Sequence, residues 1–129
     1  MVTPVNIGAA LAGKTFFRGR TPDNDAEAEA AFAELGAINN GQIFAGSYQG
    51  FTAWERHGNG DELVQVIDGM TEITILTDDG PETHELTAGS FIVVPRGLWH
   101  RFNTPDGVTV MTATPMPTDH SNADDPRIA

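Results

Sequence analysis

Four side chains that can bind a metal ion occur in two stretches of the sequence. Glu55, His57 and Glu62 lie in "WERHGNGDEL", and His100 follows "FIVVPRGLW". Residues two apart on a strand share a face, so Glu55 and His57 are predicted to point to the same side. The turn "GNGD" brings the chain back, and Glu62 can then join them from the next strand. Polar groups on an inward face need a partner, and a divalent metal ion is a common one.

The elements that must position these residues are predicted to be β-strands. From Gln42 onward, short runs rich in Val, Ile, Thr and Phe are broken by Gly, Asp and Pro. The segments "TDDGPE" and "TPDG" are predicted to be turns. Many short strands at close spacing predict an antiparallel sandwich or barrel, in which His100 can lie opposite the first three residues. The predicted strands are Gln42–Tyr48, Thr52–His57, Leu63–Asp68, Met70–Thr77, Thr83–Leu86, Phe91–Val94, His100–Asn103 and Thr109–Pro115.

The two ends of the chain have a different character from its strand-rich middle. An Ala- and Glu-rich segment predicts a helix near 24–35, with Gly36 as its stop and with Phe32 and Leu35 docking it on the rest. A shorter helical stretch is predicted at "NIGAALAG". The predicted organisation is one domain over 1–129, made of an N-terminal extension (1–41), a β-barrel (42–115) and a polar, loosely held tail (116–129).

Composition limits the classes of function. The 129 residues suit one compact domain, and the net charge of −11 with a pI near 4.4 argues against nucleic-acid binding. No apolar run is long enough to suggest a membrane span. The absence of cysteine and of a basic leader predicts a cytoplasmic protein. A small-molecule ligand or substrate is the expected partner.

The two stretches together resemble the two motifs of the cupin superfamily. The first motif reads Gly, five residues, His-x-His, three or four residues, Glu, six residues, Gly. Here His57, Glu62 and Gly69 fit that spacing, and Glu55 takes the place of the first histidine. The second motif reads Gly, five residues, Pro-x-Gly, two residues, His, three residues, Asn. The matching residues are Gly89, Pro95, Gly97 and His100.

The sequence departs from the motifs at three places. Gly50 lies one position from the opening glycine, Thr104 holds the asparagine position with Asn103 one residue early, and Glu55 replaces a histidine. The resemblance implies an all-β, cupin-type jelly-roll barrel (a double-stranded β-helix) with a short N-terminal helical extension. It also implies a homodimer.

The ligand set that the resemblance implies is one divalent metal ion, Fe, Mn, Zn or Ni, held by His57, Glu62 and His100 with Glu55 in the fourth place. A carboxylate can ligate such a metal, and two histidines with one carboxylate suffice for a non-haem iron site. Glu55 can instead stay off the metal and act as the catalytic general base. Alternatively, the histidines are metal-free core residues and Glu62 pairs with an arginine, Arg56 or Arg101.

The expected function is a metal-dependent enzyme acting on a small organic molecule, with oxygenase- or isomerase-like chemistry, for example a dioxygenase. The alternative is a non-enzymatic binding module for a sugar-like or other small polar ligand. Phe102 shares the parity of His100 and is predicted, with Trp99, to line the substrate pocket. Trp54 is predicted to face away from the cluster, as is its neighbour Arg56. His120 is predicted to be a tail residue, unless the tail folds over the mouth of the barrel.

Overall fold

Nine strands and two short helices make up the protein in a computed structural model that describes residues 2–128. The all-β fold class predicted from sequence is confirmed. The helices are α1 (Ile7–Ala12) and α2 (Asp25–Ala30), and the 3₁₀ turn Pro22–Asn24 precedes α2. Neither helix is long enough to cross a membrane. The strands are β1 (Phe17–Arg20), β2 (Ala33–Ile38), β3 (Gly41–Phe51), β4 (Trp54–His57), β5 (Glu62–Thr77), β6 (Gly80–Thr87), β7 (Phe91–Val94), β8 (His100–Pro115) and β9 (Thr118–Ser121).

Strand β8 is the centre of the sheet. It pairs antiparallel with β3 on one side and with β5 on the other, and it also meets β4 at its first residue. Outer strands extend the sheet: β1 and β2 on β3, β6 and β7 on β5, and β9 on β4. The pairings of the described strands do not close into a ring, so the jelly roll is open and not the closed barrel expected from sequence.

Two of the predicted breaks lie inside long strands. Strand β5 continues through Gly69, and β8 continues through "TPDG", which had been predicted to form a turn. Both strands bend at this point, because the pairing register between them shifts on either side of Gly69. Gly69 has a φ of +78° and lies against the Gly107 carbonyl, where a side chain would not fit. The bend lets each strand contribute to both halves of the jelly roll.

The predicted helix near 24–35 is wrong in its second half. It ends at Ala30, and Ala33–Ile38 is strand β2, paired antiparallel with β3. Helix propensity in a segment this short is a weak preference, and the hydrogen bonds offered by the neighbouring strand outweigh it. Gly36 therefore lies within a strand and stops no helix, whereas Phe32 does pack against the main core.

Two apolar clusters hold the fold together. The main one joins buried side chains from β3, β5, β6, β7 and β8 and includes Val64, Ile73 and Phe102. The second is smaller and contains Trp54, Leu76 and Trp99. Because Trp54 is buried in this second cluster, strand β4 is anchored on one face and presents its other face to the interior.

The polar tail is more ordered than predicted. Residues Thr118–Ser121 form β9, which pairs with all four residues of β4. His120 lies opposite Glu55, and Thr118 lies opposite His57. The end of the chain therefore covers the strand that carries half of the proposed metal ligands.

Candidate metal centre

Strands β4, β5 and β8 bring the four predicted ligands together. Glu55 on β4 lies directly opposite His100, the first residue of β8, and His57 follows two residues later on the same face. Glu62 begins β5 after the turn that ends β4. His57, Glu62 and His100 are buried, with His100 at 0% exposure, while Glu55 is half-buried.

The distances between ligand atoms suit one metal ion. His100 Nε2 lies 3.1 Å from Glu62 Oε1, and His57 Nε2 lies 3.3 Å from Glu62 Oε2. Glu55, His57 and His100 each offer an atom, and these atoms lie within 4.8 Å of one another. Two ligand atoms about 2.1 Å from one ion are about 3.0 Å apart at a right angle and about 3.4 Å apart at a tetrahedral angle. Glu55, His57 and His100 therefore offer atoms close enough for one divalent ion, and Glu62 contacts both histidines.

The ring nitrogens of the two histidines are held differently. His100 Nδ1–H donates to the Leu98 carbonyl oxygen at 3.0 Å, so its Nε2 is left to face Glu62. His57 Nδ1 lies 3.0 Å from the Thr118 hydroxyl, which can donate or accept. His57 Nε2 is buried and, although close to Glu62, has no hydrogen-bond partner within residues 2–128. A buried nitrogen in that state is what a metal ion would satisfy.

Glu62 is fixed by a hydroxyl behind it. The Thr114 hydroxyl donates to Glu62 Oε2 at 2.7 Å, and Thr112 Oγ1 lies 2.8 Å from Thr114 Oγ1. Partners of this kind orient a metal ligand and raise its affinity for the ion. Both threonines come from the far end of β8, so a single strand supplies one predicted ligand, His100, and the support of another, Glu62.

The electrostatics of the cluster separate the two glutamates. Burial raises the pKa of Glu62, but the His100 hydrogen bond, the close contact with His57 and the charges of both histidines outweigh it and lower that pKa to about 2. Burial and then the Glu62 charge raise the pKa of Glu55 to about 7, against the opposing effect of His100. The pKa of His100 is raised because the Glu62 contact and the carboxylate charges overcome the effect of burial. One glutamate is therefore a fixed anion and the other exchanges its proton near neutral pH.

A cavity of about 540 Å³ opens beside the cluster. Glu55, Glu62 and Phe102 line it, and the Phe102 ring meets the His100 ring edge-on with centroids 6.0 Å apart. Trp99, predicted to line the substrate pocket, is not among the described lining residues. It packs with Trp54 and Leu76, because it has the opposite parity to His100 and points to the other side of the sheet.

The arginines near the motifs do not pair with Glu62. Arg56 donates to Asp119 at 3.0 Å and lies over the Trp99 ring, and Arg101 lies over the Trp54 ring at 4.3 Å. The alternative in which one of them neutralises Glu62 is therefore wrong, because both extend away from the cavity. The carboxylate faces the two histidines instead.

Apart from His120, for which a tail folded over the mouth of the barrel was the alternative, several residues at the site carried no sequence signal. Arg20 and His120 line the cavity, and Thr114 and Thr118 contact Glu62 and His57. His120 Nε2 also lies 2.9 Å from Glu29 Oε1, which joins β9 to α2 across the cavity. All of these residues are distant in sequence from the two motifs, so no local spacing connects them with the ligands.

The chain is similar to a known protein family in sequence and to solved structures in fold. The sequence profile of a family described as "Cupin domain" matches residues 47–114. None of the curated proteins matches the chain in sequence. A cupin-2 domain containing protein from Shewanella frigidimarina is 24% identical with a TM-score of 0.57, over 66% of this chain and 79% of that one.

Two further solved structures show how widely the fold is shared. A protein from Neisseria meningitidis is 16% identical with a TM-score of 0.65, over 88% of this chain and all (100%) of that one. Hydroquinone 1,2-dioxygenase in complex with Cd²⁺ and 4-hydroxybenzonitrile is 16% identical with a TM-score of 0.55, over 65% of this chain and 63% of that one. Likeness at these identities shows the fold alone.

Proposed function

Because the chain belongs to the cupin domain family, we propose that it is a metal-dependent enzyme acting on a small organic molecule in the cavity beside Glu55 and Glu62. The observation that carries the proposal is the buried His57 Nε2, which has no hydrogen-bond partner in the described part of the chain, lies 3.3 Å from Glu62 Oε2 and belongs to a ring whose centroid is 5.2 Å from that of His100. Fold alone does not decide function, so the argument depends on this donor set.

His57, Glu62 and His100 would hold one divalent ion, Fe, Mn, Zn or Ni. These are the metals that suit imidazole and carboxylate ligands together. When bound, such an ion polarises a substrate oxygen as a Lewis acid or, as iron, supports oxygenase chemistry. The structure of hydroquinone 1,2-dioxygenase in complex with Cd²⁺ and 4-hydroxybenzonitrile supports the proposal, since that protein shares the fold and binds a divalent ion and a small aromatic molecule.

Glu55 is the residue proposed to move a proton. It lies at the cavity wall, half-buried, and its pKa of about 7 suits exchange of a proton with a substrate near neutral pH. Its carboxylate is also close enough to the histidines to serve as a fourth ligand. In either role it works beside Phe102, whose ring forms an apolar wall and keeps water away from the reacting groups.

A non-enzymatic binding module is the second candidate, and one observation favours it. Both Glu62 oxygens already have partners, His100 and Thr114, so this part of the network is complete without an ion. In that case the buried polar groups would hydrogen-bond a sugar-like or other small polar ligand directly.

Metal analysis of the purified chain tests the proposal. We expect one ion per chain in the wild type and loss of that ion in His100→Ala, with His84→Ala as the control because His84 is an exposed histidine. Absence of stoichiometric metal, together with no response of either protein's thermal stability to added metal, would contradict the enzyme proposal. Ligand-induced thermal shifts that persist after chelation would then support the binding module.

A further inference from the structure

Arg20 is the only arginine or lysine among the described lining residues of the cavity. It is 3% exposed and ends β1, which runs parallel to β3 with Arg20 opposite Gly50. Gly50 has a φ of +123° and touches the Arg20 backbone where any side chain would collide with it. The guanidinium lies over the Tyr48 ring, 4.6 Å from its centroid. The arginine is therefore held in place before any ligand arrives.

Most of the hydrogen-bonding capacity of Arg20 is unused. A guanidinium has five N–H donors. Nε–H donates to Asp25 Oδ1 at 2.8 Å, whereas Nη2 lies 4.0 Å from Glu29 Oε1, too far for a hydrogen bond. Within residues 2–128 no other acceptor contacts Nη1 or Nη2. Nη1 and Nη2 therefore keep N–H groups free for a ligand, and the pair has the fork geometry that a carboxylate accepts.

The rest of the cavity suits a flat apolar body. Aromatic side chains form much of its wall, namely Phe32, Phe44, Tyr48 and Phe102. Four carboxylates also line it, those of Glu29, Glu34, Glu55 and Glu62. These groups repel any negative charge on a ligand, so a dianion is disfavoured and a single carboxylate can bind only at the N–H donors that Arg20 does not use for Asp25. The volume of about 540 Å³ is in the range of small-molecule sites.

We propose that the cavity binds a small aromatic or similarly apolar monocarboxylate, with the carboxylate on Nη1 and Nη2 of Arg20 and the body between the aromatic side chains. The far end of the molecule then lies near Glu55. Binding of the carboxylate to Arg20 does not require a metal. The inference rests on the proposed function only where it treats the bound molecule as a substrate. If Arg20 served only to link β1 to α2, its Nε–H bond to Asp25 would be sufficient. The free N–H groups on Nη1 and Nη2 would then have no role.

Benzoate and benzamide form a matched pair of probes, because they share shape and differ in charge. Binding to the full chain is measured by calorimetry after zinc loading and again after chelation, with zinc content determined on the same samples. We expect benzoate to bind about tenfold more tightly than benzamide to the wild type. Arg20→Gln should remove that preference and leave benzamide binding and zinc content unchanged. Arg18→Gln, at an exposed position on the same strand, is the control.

Arg20→Lys covers the case in which Arg20→Gln fails to fold. It keeps the charge but loses the fork, so benzoate should weaken selectively in this variant too. Equal binding of the two probes to the wild type, or no binding of either, overturns the proposal. So does a benzoate preference that disappears on chelation and is insensitive to Arg20, since the carboxylate would then be on the zinc. A wild type that binds no zinc but still prefers benzoate contradicts the metal-enzyme proposal and leaves this one standing.

Discussion

Thr114 and Glu62 are joined by a buried hydrogen bond of 2.7 Å in which the hydroxyl donates to Oε2. The bond holds the carboxylate between the two histidines, so its loss should affect both stability and metal binding. We expect Thr114→Val to lower the free energy of unfolding by about 1–3 kcal/mol and to weaken metal affinity by about 10–100-fold. Urea denaturation and competition with a chelator measure the two effects.

Thr74→Val is the matched control for that variant. Thr74 is also on a long strand and lies 3.0 Å from another hydroxyl, that of Thr83, but on the outside of the sheet. The Thr74→Val substitution should leave metal affinity unchanged. If both variants lower the affinity equally, Thr114 has no specific role in orienting Glu62.

Glu55 should make the stability of the metal-free protein depend on pH. Its folded-state pKa of about 7 lies above its ordinary 4.5, so the stability it supports is complete below pH 4.5 and is lost as the pH rises through 7. Glu55→Gln should therefore be more stable than the wild type above pH 7, by about 1–3 kcal/mol. The difference should disappear at acidic pH.

Denaturation of chelated protein across that pH range checks this expectation. Glu85→Gln is the control, because Glu85 is exposed on β6 and undergoes the same chemical change. If the free energies of unfolding of the wild type and of Glu55→Gln differ by the same amount at every pH, the folded-state pKa of Glu55 is not raised.

Metal affinity should rise with pH through neutrality. In the metal-free protein the raised pKa of His100 lets Nε2–H donate to Glu62, and Glu55 holds a proton up to about pH 7. A metal ion must displace such protons, so binding should release them and strengthen between about pH 6 and about pH 8. Affinity by chelator competition, with proton release by calorimetry in two buffers, measures the effect.

The same titration with Glu55→Gln decides the role of Glu55. If Glu55 is a ligand, it contributes to metal affinity and releases its proton when the metal binds. The Glu55→Gln variant should then bind metal more weakly and release fewer protons. As a general base that stays off the metal, it should leave metal affinity at high pH unchanged while turnover is lost. Affinity independent of pH in the wild type would contradict the ligand set altogether.

Trp99 should matter for stability and not for the site. It is buried with Trp54 and Leu76 on the side of the sheet away from the cavity. Trp99→Ala should lower the free energy of unfolding by about 3–5 kcal/mol, because a large buried ring is removed. The metal content of the folded Trp99→Ala protein should stay unchanged. Phe91→Ala is the control and should cost little stability, because the Phe91 side chain is 62% exposed. Loss of metal from folded Trp99→Ala would place this ring closer to the chemistry than the structure does.

The sequence by itself determined the strand-rich fold class and the four residues proposed as ligands. Strand parity and motif spacing are local properties, and they predicted the contacts of Glu55 with His100 and of Glu62 with both histidines. The same parity argument explains why Phe102 lines the cavity and Trp99 does not. Local propensity was not sufficient for the helix near 24–35, because pairing with β3 decides the conformation after Ala30.

Only the tertiary structure decided what surrounds those ligands. The contacts of Arg20 with Tyr48, of Thr114 with Glu62 and of Thr118 with His57 join residues far apart in the chain. They depend on which strands become neighbours in the sheet and where long strands bend, and neither follows from periodicity within one segment. The proposed ligands are thus a property of two short motifs, whereas the cavity, its arginine and the contacts that support each proposed ligand are properties of the packed sheet.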